Sequence, residues 1–152
     1  MISKILVPTD GSKAAIKSVE YAAGFAKQTG ASITLLSVID KSSFVPQSIP
    51  SLFSSKKLIE PIEDYLRIAS VSFIEEAEKI CLKYEVPSKR VIRTGHPVDE
   101  IVKEAEKSKA DIIIIGSQGK SALKAVVMGS VAFGVISKGT KIPIYHKIGV
   151  NW

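Results

Sequence analysis

The feature that most limits the fold of this chain is a regular alternation of strand-like and helix-like segments. Short apolar, β-branched runs occupy residues 2–8, 33–39, 91–92, 111–115 and 142–147. Between them, residues 12–29, 61–84, 97–108 and 130–138 carry apolar side chains at helical spacing. Strand–helix–strand units cross over right-handed, so this order predicts a parallel sheet with helices on both faces.

The fourth run fixes the middle of that sheet. Residues 112–115 are four consecutive isoleucines without polar alternation, which indicates a strand buried on both faces. Ligands of doubly wound sheets bind where the strand order reverses, at the carboxyl ends of the strands. With the first and fourth strands at that point, the loops after Pro8 and Ile115 form the site. We therefore predict an α/β fold with a doubly wound five-stranded parallel sheet, strand order 3-2-1-4-5, in a single domain spanning residues 1–152.

Composition excludes several classes of protein. The chain has 45% hydrophobic residues, too many for wholesale disorder, and its longest purely apolar run has four residues, far short of a membrane span. Cys81 is the single cysteine, so no intramolecular disulfide forms and we expect a cytoplasmic protein. The net charge of +6 favours an anionic partner, and the segment after Asp111 carries five lysines and no carboxylate. We expect neither a nucleic-acid partner nor a membrane.

Glycines follow the fourth strand and precede the last helix at a defined spacing. Gly116 and Gly119 enclose two residues, and nine further residues separate Gly119 from Gly129 and Ser130. Glycines let a backbone approach a ligand closely, and amides at a helix N-terminus attract anions. The spacing alone is equally compatible with ordinary turns. As a ligand site, it predicts two loops that grip one phosphorylated molecule.

Together with the start of the chain, these glycines resemble a known family. Residues 5–12 read Ile-Leu-Val-Pro-Thr-Asp-Gly-Ser, which is similar to the opening strand and turn of the universal stress protein family. Gly95-His96-Pro97 resembles the third crossover of that family, and residues 111–119 with Gly129-Ser130-Val131 resemble its nucleotide-binding signature. The resemblance covers the whole chain and implies the ATP-binding subclass.

The resemblance implies where a nucleotide lies. By analogy with the family, Pro8, Thr9 and Asp10 line the base and ribose end, and the backbone of Val38 holds the edge of the adenine. The remaining implied contacts, with ribose and phosphates, come from Ile115, Gly116, Gly119, Gly129, Ser130 and Val131. The implied ligand is ATP, or AMP or ADP, with or without Mg²⁺. The implied set contains neither catalytic residues nor a protein metal site.

Three positions depart from the pattern of the family. Ala132 stands where many nucleotide-binding members have a second small hydroxyl, and Phe133 stands where a polar residue is usual. The last strand, residues 142–147, is more polar than the apolar edge strand that often pairs two subunits in the family. By analogy with the family we nevertheless expect a homodimer, and the sequence does not define the geometry of its interface. The sequence also does not identify any other protein partner.

Two further classes of function compete with the first. The leading hypothesis is a nucleotide-dependent switch in the stress response, or a very slow ATP hydrolase, because the sequence shows no placed general base and no arginine near the glycine loop. The alternative is a protein-interaction module of the same fold that binds no nucleotide. A third class, an ATP-dependent enzyme related in fold to adenylating enzymes, requires a second substrate pocket for which the sequence shows no residues.

The segment at residues 40–57 and the two histidines need separate interpretations. Six serines and two prolines disfavour regular structure in this segment, and we expect it to be the most mobile part of the free protein and to cover the adenine end. His96 precedes a proline and is interpreted as a turn residue. His146 lies on a predicted edge strand, where we expect no catalytic role.

Overall fold

The computed structural model describes residues 1–40, 56–116 and 130–147, with the side chains of residues 56–60 and 147 excepted. The predicted alternation is confirmed, with elements close to the predicted bounds. In chain order they are β1 (Lys4–Pro8), α1 (Lys13–Thr29), β2 (Ser32–Ile39), α2 (Lys56–Lys83), β3 (Ser88–Thr94), α3 (Pro97–Lys107), β4 (Ile112–Gly116), α4 (Ser130–Ser137) and β5 (Ile144–Lys147).

The five strands form one parallel sheet in the predicted order, β3-β2-β1-β4-β5. Strand β1 lies at the centre, where Leu6 pairs with Thr34 of β2 on one side and with Ile113 of β4 on the other. The chain moves outward from β1 through β2 to β3 and then crosses back to β4. The reversal of strand order therefore lies between β1 and β4, as the sequence predicts.

The core has two layers, one on each face of the sheet. On one face, Val19 of α1 and Ile74 of α2 pack against Leu35 of β2. On the other face, Ile101 of α3 and Val135 of α4 pack with a second set of strand residues. Successive isoleucines of β4 enter opposite layers, and Ile113, Ile114 and Ile115 are all buried. This confirms that β4 is covered on both faces.

Helix α1 is capped at both ends by its flanking residues. Ser12 caps the N-terminus, and its Oγ accepts a hydrogen bond from the Ala15 N–H at 3.1 Å. Gly30 ends the helix with φ +76°, and its N–H donates to the Ala26 carbonyl at 2.8 Å. The start of α1 lies directly after the turn that follows β1.

Two elements differ from the bounds that the sequence predicted. Strand β3 spans Ser88–Thr94 rather than residues 91–92, because this edge strand pairs with β2 through its backbone while its side chains stay largely exposed. Helix α2 begins at Lys56, so Pro61 lies inside the helix and not at its start. A proline there lacks one N–H, so the backbone loses a single helical hydrogen bond.

Candidate functional site

A cleft of about 500 Å³ lies at the carboxyl edge of the sheet. The ends of β1, β2 and β4 form its floor, and residues of α2, α3 and α4 form its walls. This position follows from the strand order, because β1 and β4 feed helices on opposite faces of the sheet and leave a crevice between them. None of the described residues that line the cleft is a lysine, arginine or histidine.

The turn after β1 brings Asp10 to the cleft. Thr9 is buried, and its N–H donates to the Leu36 carbonyl at 2.8 Å, so β1 stays paired with β2 up to the turn. Asp10 is exposed, and its Oδ1 accepts a hydrogen bond from the Ser12 N–H at 2.9 Å. The carboxylate is therefore fixed by its own turn, and its second oxygen has no hydrogen-bond partner among the residues described.

Gly11 allows this turn to lie beneath helix α2. Its φ is +76°, a conformation that L-residues rarely adopt, and a Cβ at this position would lie 2.3 Å from Cδ1 of Phe73. Phe73 also lines the cleft. The ring therefore covers the turn that carries Asp10, which links α2 to the position of this carboxylate.

The end of β4 approaches the start of α1 equally closely. A Cβ at Gly116 would lie 2.9 Å from the backbone carbon and oxygen of Ala14. Gly116 and its buried neighbour Ile115 both line the cleft. The glycine signature thus has a packing reason at its first position, independent of any ligand.

Helix α4 presents its first residues to the cleft. Ser130, Val131 and Ala132 line it, and Ser130 is exposed. The rest of the helix packs on α3, where a Cβ at Gly134 would lie 2.6 Å from Val98 Cγ2. Because the amides at a helix N-terminus attract anions, this end of the cleft suits a negatively charged group.

An exposed ion pair also joins the residue after α4 to α3. Lys138 Nζ lies 2.8 Å from Asp99 Oδ1, and the hydrogen bond from Lys138 lowers the pKa of Asp99 below its ordinary value. His96 Nδ1 lies 3.8 Å from the other oxygen of Asp99. His96 precedes α3 without a side-chain capping hydrogen bond, in agreement with its interpretation as a turn residue.

The opposite end of the cleft is largely apolar. Val38 and Ile39 of β2 and Tyr65, Ala69 and Phe73 of α2 line it. Sequence reasoning identified Val38 and missed the three α2 residues, although their spacing of four places them on one helix face. Two buried serines, Ser37 of β2 and Ser70 of α2, lie at the same end.

The cleft brings together most of the residues that the sequence singled out. The described members of the predicted set all line it: Pro8, Thr9, Asp10, Val38, Ile115, Gly116, Ser130 and Val131. Gly119 and Gly129 lie outside the described residues, as do residues 41–55, which make up most of the segment expected to cover the adenine end. These parts of the prediction stay predictions.

Among the residues described, His, Cys, Asp and Glu side chains nowhere gather in a group of three or more that would suit a metal ion. In residues 1–40, 56–116 and 130–147, every helix is too short or too polar to cross a bilayer.

Comparison with known proteins places these features in a family. The model of the universal stress protein family matches residues 1–142. A universal stress protein of Methanocaldococcus jannaschii is 35% identical over 149 residues, which cover 93% of this chain and 92% of that protein. Its solved structure superposes with a TM-score of 0.82 at 32% identity, covering 100% of this chain and 99% of the other.

Two more distant structures share the fold and hold nucleotides. A universal stress protein in complex with cAMP has a TM-score of 0.69 at 22% identity, covering 96% of this chain and 97% of the other. A universal stress protein of Archaeoglobus fulgidus in complex with dAMP has a TM-score of 0.66 at 19% identity, covering 96% and 97%.

Proposed function

This chain belongs to the universal stress protein family, and we propose that it binds an adenine nucleotide in the cleft at the carboxyl edge of its sheet, within a single domain. The observation that carries the proposal is the convergence of Asp10, Val38, Gly116 and Ser130 on one cleft of about 500 Å³. The volume is within the range of small-molecule sites. The nucleotide complexes of two distant members of the family support the same ligand class.

The two ends of the cleft suggest the orientation of the nucleotide. The apolar end between β2 and α2 suits a flat base, and the N-terminus of α4 suits phosphate. Asp10 lies between these ends, in the turn after β1, where its carboxylate suits a ribose hydroxyl or a base amino group. ATP, ADP and AMP all fit this orientation, and a titration with and without Mg²⁺ tests whether the metal contributes.

The proposed role is that of a nucleotide-dependent switch in the cytoplasmic stress response, with hydrolysis at most slow. The described lining of the cleft contains no cationic side chain to stabilise a transferring phosphoryl group. To test this role, the purified protein is denatured and the supernatant is analysed for nucleotides, and a thermal shift is recorded with ATP. Absence of both a released nucleotide and a thermal shift would favour the alternative, an interaction module without nucleotide.

A variant of Ser130 tests the orientation. Ser130→Ala is expected to weaken the binding of ATP by about 1.5–3 kcal/mol, because a hydroxyl bonded to a charged phosphate oxygen is lost. The binding of adenosine, which has no phosphate, is expected to stay nearly unchanged. Titration calorimetry with both ligands measures the difference. Ser137→Ala, at the opposite end of the same helix, is the matched control. Equal losses for ATP and adenosine would place Ser130 away from the phosphates.

We also propose that the protein forms a homodimer. Strand β5 lies at the edge of the described sheet, and edge strands offer unpaired backbone groups to a second chain. On the adjoining helix α4, Phe133 is 61% exposed and Ile136 is 40% exposed. Light scattering on a size-exclusion column is expected to give twice the mass of one chain. The mass of a single chain at every concentration tested would refute the dimer.

A further inference from the structure

Two buried serine hydroxyls at the apolar end of the cleft have no protein partner. Ser37 of β2 is 2% exposed and Ser70 of α2 is 4% exposed, and both line the cleft. No hydrogen bond involves either hydroxyl among the described residues. Buried hydroxyls in proteins are nearly always hydrogen-bonded, so this pair requires an explanation.

Other hydroxyls near the cleft are already engaged. The Thr9 hydroxyl accepts a hydrogen bond from the Gly11 N–H, and the Ser12 hydroxyl accepts one from the Ala15 N–H. Ser18, which is equally buried but lies outside the cleft, donates to the Ala15 carbonyl at 2.7 Å. Unpartnered hydroxyls are therefore not a general property of this fold, and they occur here at the end of the cleft formed by β2 and α2.

Their place in the core makes the two serines more unusual. On β2, Ile33 and Leu35 point into the layer beneath α1 and α2, and strand alternation directs Ser37 to the same face. On α2, Ser70 lies one turn before Ile74, which is fully buried in that layer. Each apolar row thus changes to a hydroxyl where it reaches the cleft.

The exposure of the two serine oxygens indicates which partner they can reach. Among the described residues, His146 Nδ1 is the one buried side-chain polar atom that is both sealed and unpartnered. The Ser37 and Ser70 oxygens are therefore not sealed, and the cavity that both residues line is the cleft. A ligand in the cleft can reach them.

We propose that Ser37 and Ser70 are the hydrogen-bonding subsite for the polar edge of the nucleotide base, an inference that rests on the proposed function. The surrounding wall is apolar, from Val38, Tyr65 and Phe73, and suits the flat faces of a base. A hydroxyl both donates and accepts, so two of them match the adjacent amino donor and ring-nitrogen acceptor of adenine. Ser37 and Ser70 therefore determine specificity for the base, whereas Ser130 lies at the phosphate end.

The test compares Ser37→Ala and Ser70→Ala with Ser18→Ala, a buried serine outside the cleft. Calorimetry measures binding of AMP and of purine riboside 5′-monophosphate, which lacks the amino group of adenine. Each cleft variant is expected to lower the affinity for AMP about 3- to 10-fold. The loss for the analogue is expected to be smaller for the serine that accepts from the amino group, and equal for the serine that donates to the ring nitrogen, because the analogue keeps that nitrogen. Ser18→Ala is expected to leave both affinities unchanged.

The melting temperature of the ligand-free variants gives an independent readout. Ser37→Ala and Ser70→Ala remove unpartnered hydroxyls and are expected to keep or raise it, whereas Ser18→Ala loses a hydrogen bond and lowers it. A fall in both cleft variants as large as in Ser18→Ala would assign the hydroxyls to a structural role, such as an ordered water, and overturn the inference.

The binding results separate the two proposals. If both cleft variants bind AMP as the wild type does, or lose equal affinity for AMP and the analogue, the subsite is wrong while nucleotide binding stands. If the wild-type protein binds no AMP, the proposed function fails, and the subsite fails with it.

Discussion

An aspartate lies at each of the two edges of the sheet, and the two differ in how many hydrogen bonds they accept. At the amino edge, the half-buried Asp111 precedes β4, and its Oδ2 accepts hydrogen bonds from the Ser3 N–H at 2.9 Å, the Ser3 hydroxyl at 3.1 Å and the Lys4 N–H at 3.0 Å. At the carboxyl edge, Asp10 follows β1 and accepts one hydrogen bond, from the Ser12 N–H.

The difference separates a carboxylate oxygen that is fully used within the protein from polar groups that line the cleft. Asp111 joins the starts of β1 and β4 and uses one oxygen fully within the protein. At the other edge, Asp10, Ser37 and Ser70 retain hydrogen-bonding capacity among the described residues and line a cleft. The aspartate at the amino edge therefore stabilises the sheet, whereas polar side chains at the carboxyl edge keep hydrogen-bonding capacity toward the cleft.

The largest expected effect tests whether the carboxyl edge depends on close backbone contact. Gly116→Ala is expected to lower the free energy of unfolding by about 1–3 kcal/mol, because the new Cβ would lie 2.9 Å from backbone atoms of Ala14, which cannot move independently of α1. Denaturant unfolding followed by circular dichroism measures the change.

The matched control is Gly24→Ala in α1. Its Cβ would have Tyr84 Cε2 as its nearest neighbour, at 3.8 Å, an ordinary contact. Because alanine is more favourable than glycine in a helix interior, the free energy of unfolding of this variant is expected to rise by about 0.5–1 kcal/mol. A Gly116→Ala variant as stable as Gly24→Ala would show that β4 and α1 separate without cost.

A smaller effect is expected at the amino edge and depends on pH. Hydrogen bonds from Ser3 and Lys4 lower the pKa of Asp111 below its ordinary 3.8. A carboxyl with a lowered pKa contributes its full stabilisation above the ordinary value and loses it as the pH falls through the lowered pKa. Asp111→Asn is therefore expected to have a lower melting temperature than the wild type at pH 7. The difference between the two melting temperatures is expected to shrink below about pH 4.

The comparison between the edges supplies the control for this variant. Asp10→Asn is expected to change the melting temperature of the ligand-free protein less than Asp111→Asn, because Asp10 makes one hydrogen bond within its own turn. Melting curves across the pH range measure both. A difference for Asp111→Asn that stays constant down to pH 2 would contradict the assignment of its stabilisation to the ionised carboxylate.

The smallest expected effect is the absence of a reaction. Cys81 is buried in α2, and desolvation raises the pKa of its thiol from 9.0 to about 11. About one thiol in a thousand is then ionised at pH 8, so iodoacetamide is expected to leave the folded protein unmodified. Mass spectrometry measures the adduct, with Ser72→Cys, at an exposed position of the same helix, as a reactive comparison. Rapid alkylation of Cys81 in the native protein would show that this core opens.

The sequence by itself determined the order of elements and the position of the cleft. Four consecutive isoleucines predicted a strand covered on both faces, and β4 is buried in both layers. The strand order then brought Asp10 and Ser130, distant in the chain, to one cleft. These features depend on apolar periodicity and on the right-handed crossover, which act through near neighbours and are therefore readable along the chain.

Only the tertiary structure decided which side chains share the cleft with them. Tyr65 and Ser70 line it because α2 crosses β2 at one particular rotation, and no local pattern specifies that rotation. Likewise, Gly11 must be a glycine because the ring of Phe73, far along the chain, occupies the space of a Cβ. The length of β3 also depended on its partner, since backbone pairing with β2 requires no apolar side chains. Contacts between elements are set by packing in three dimensions, and the sequence of either element alone does not contain them.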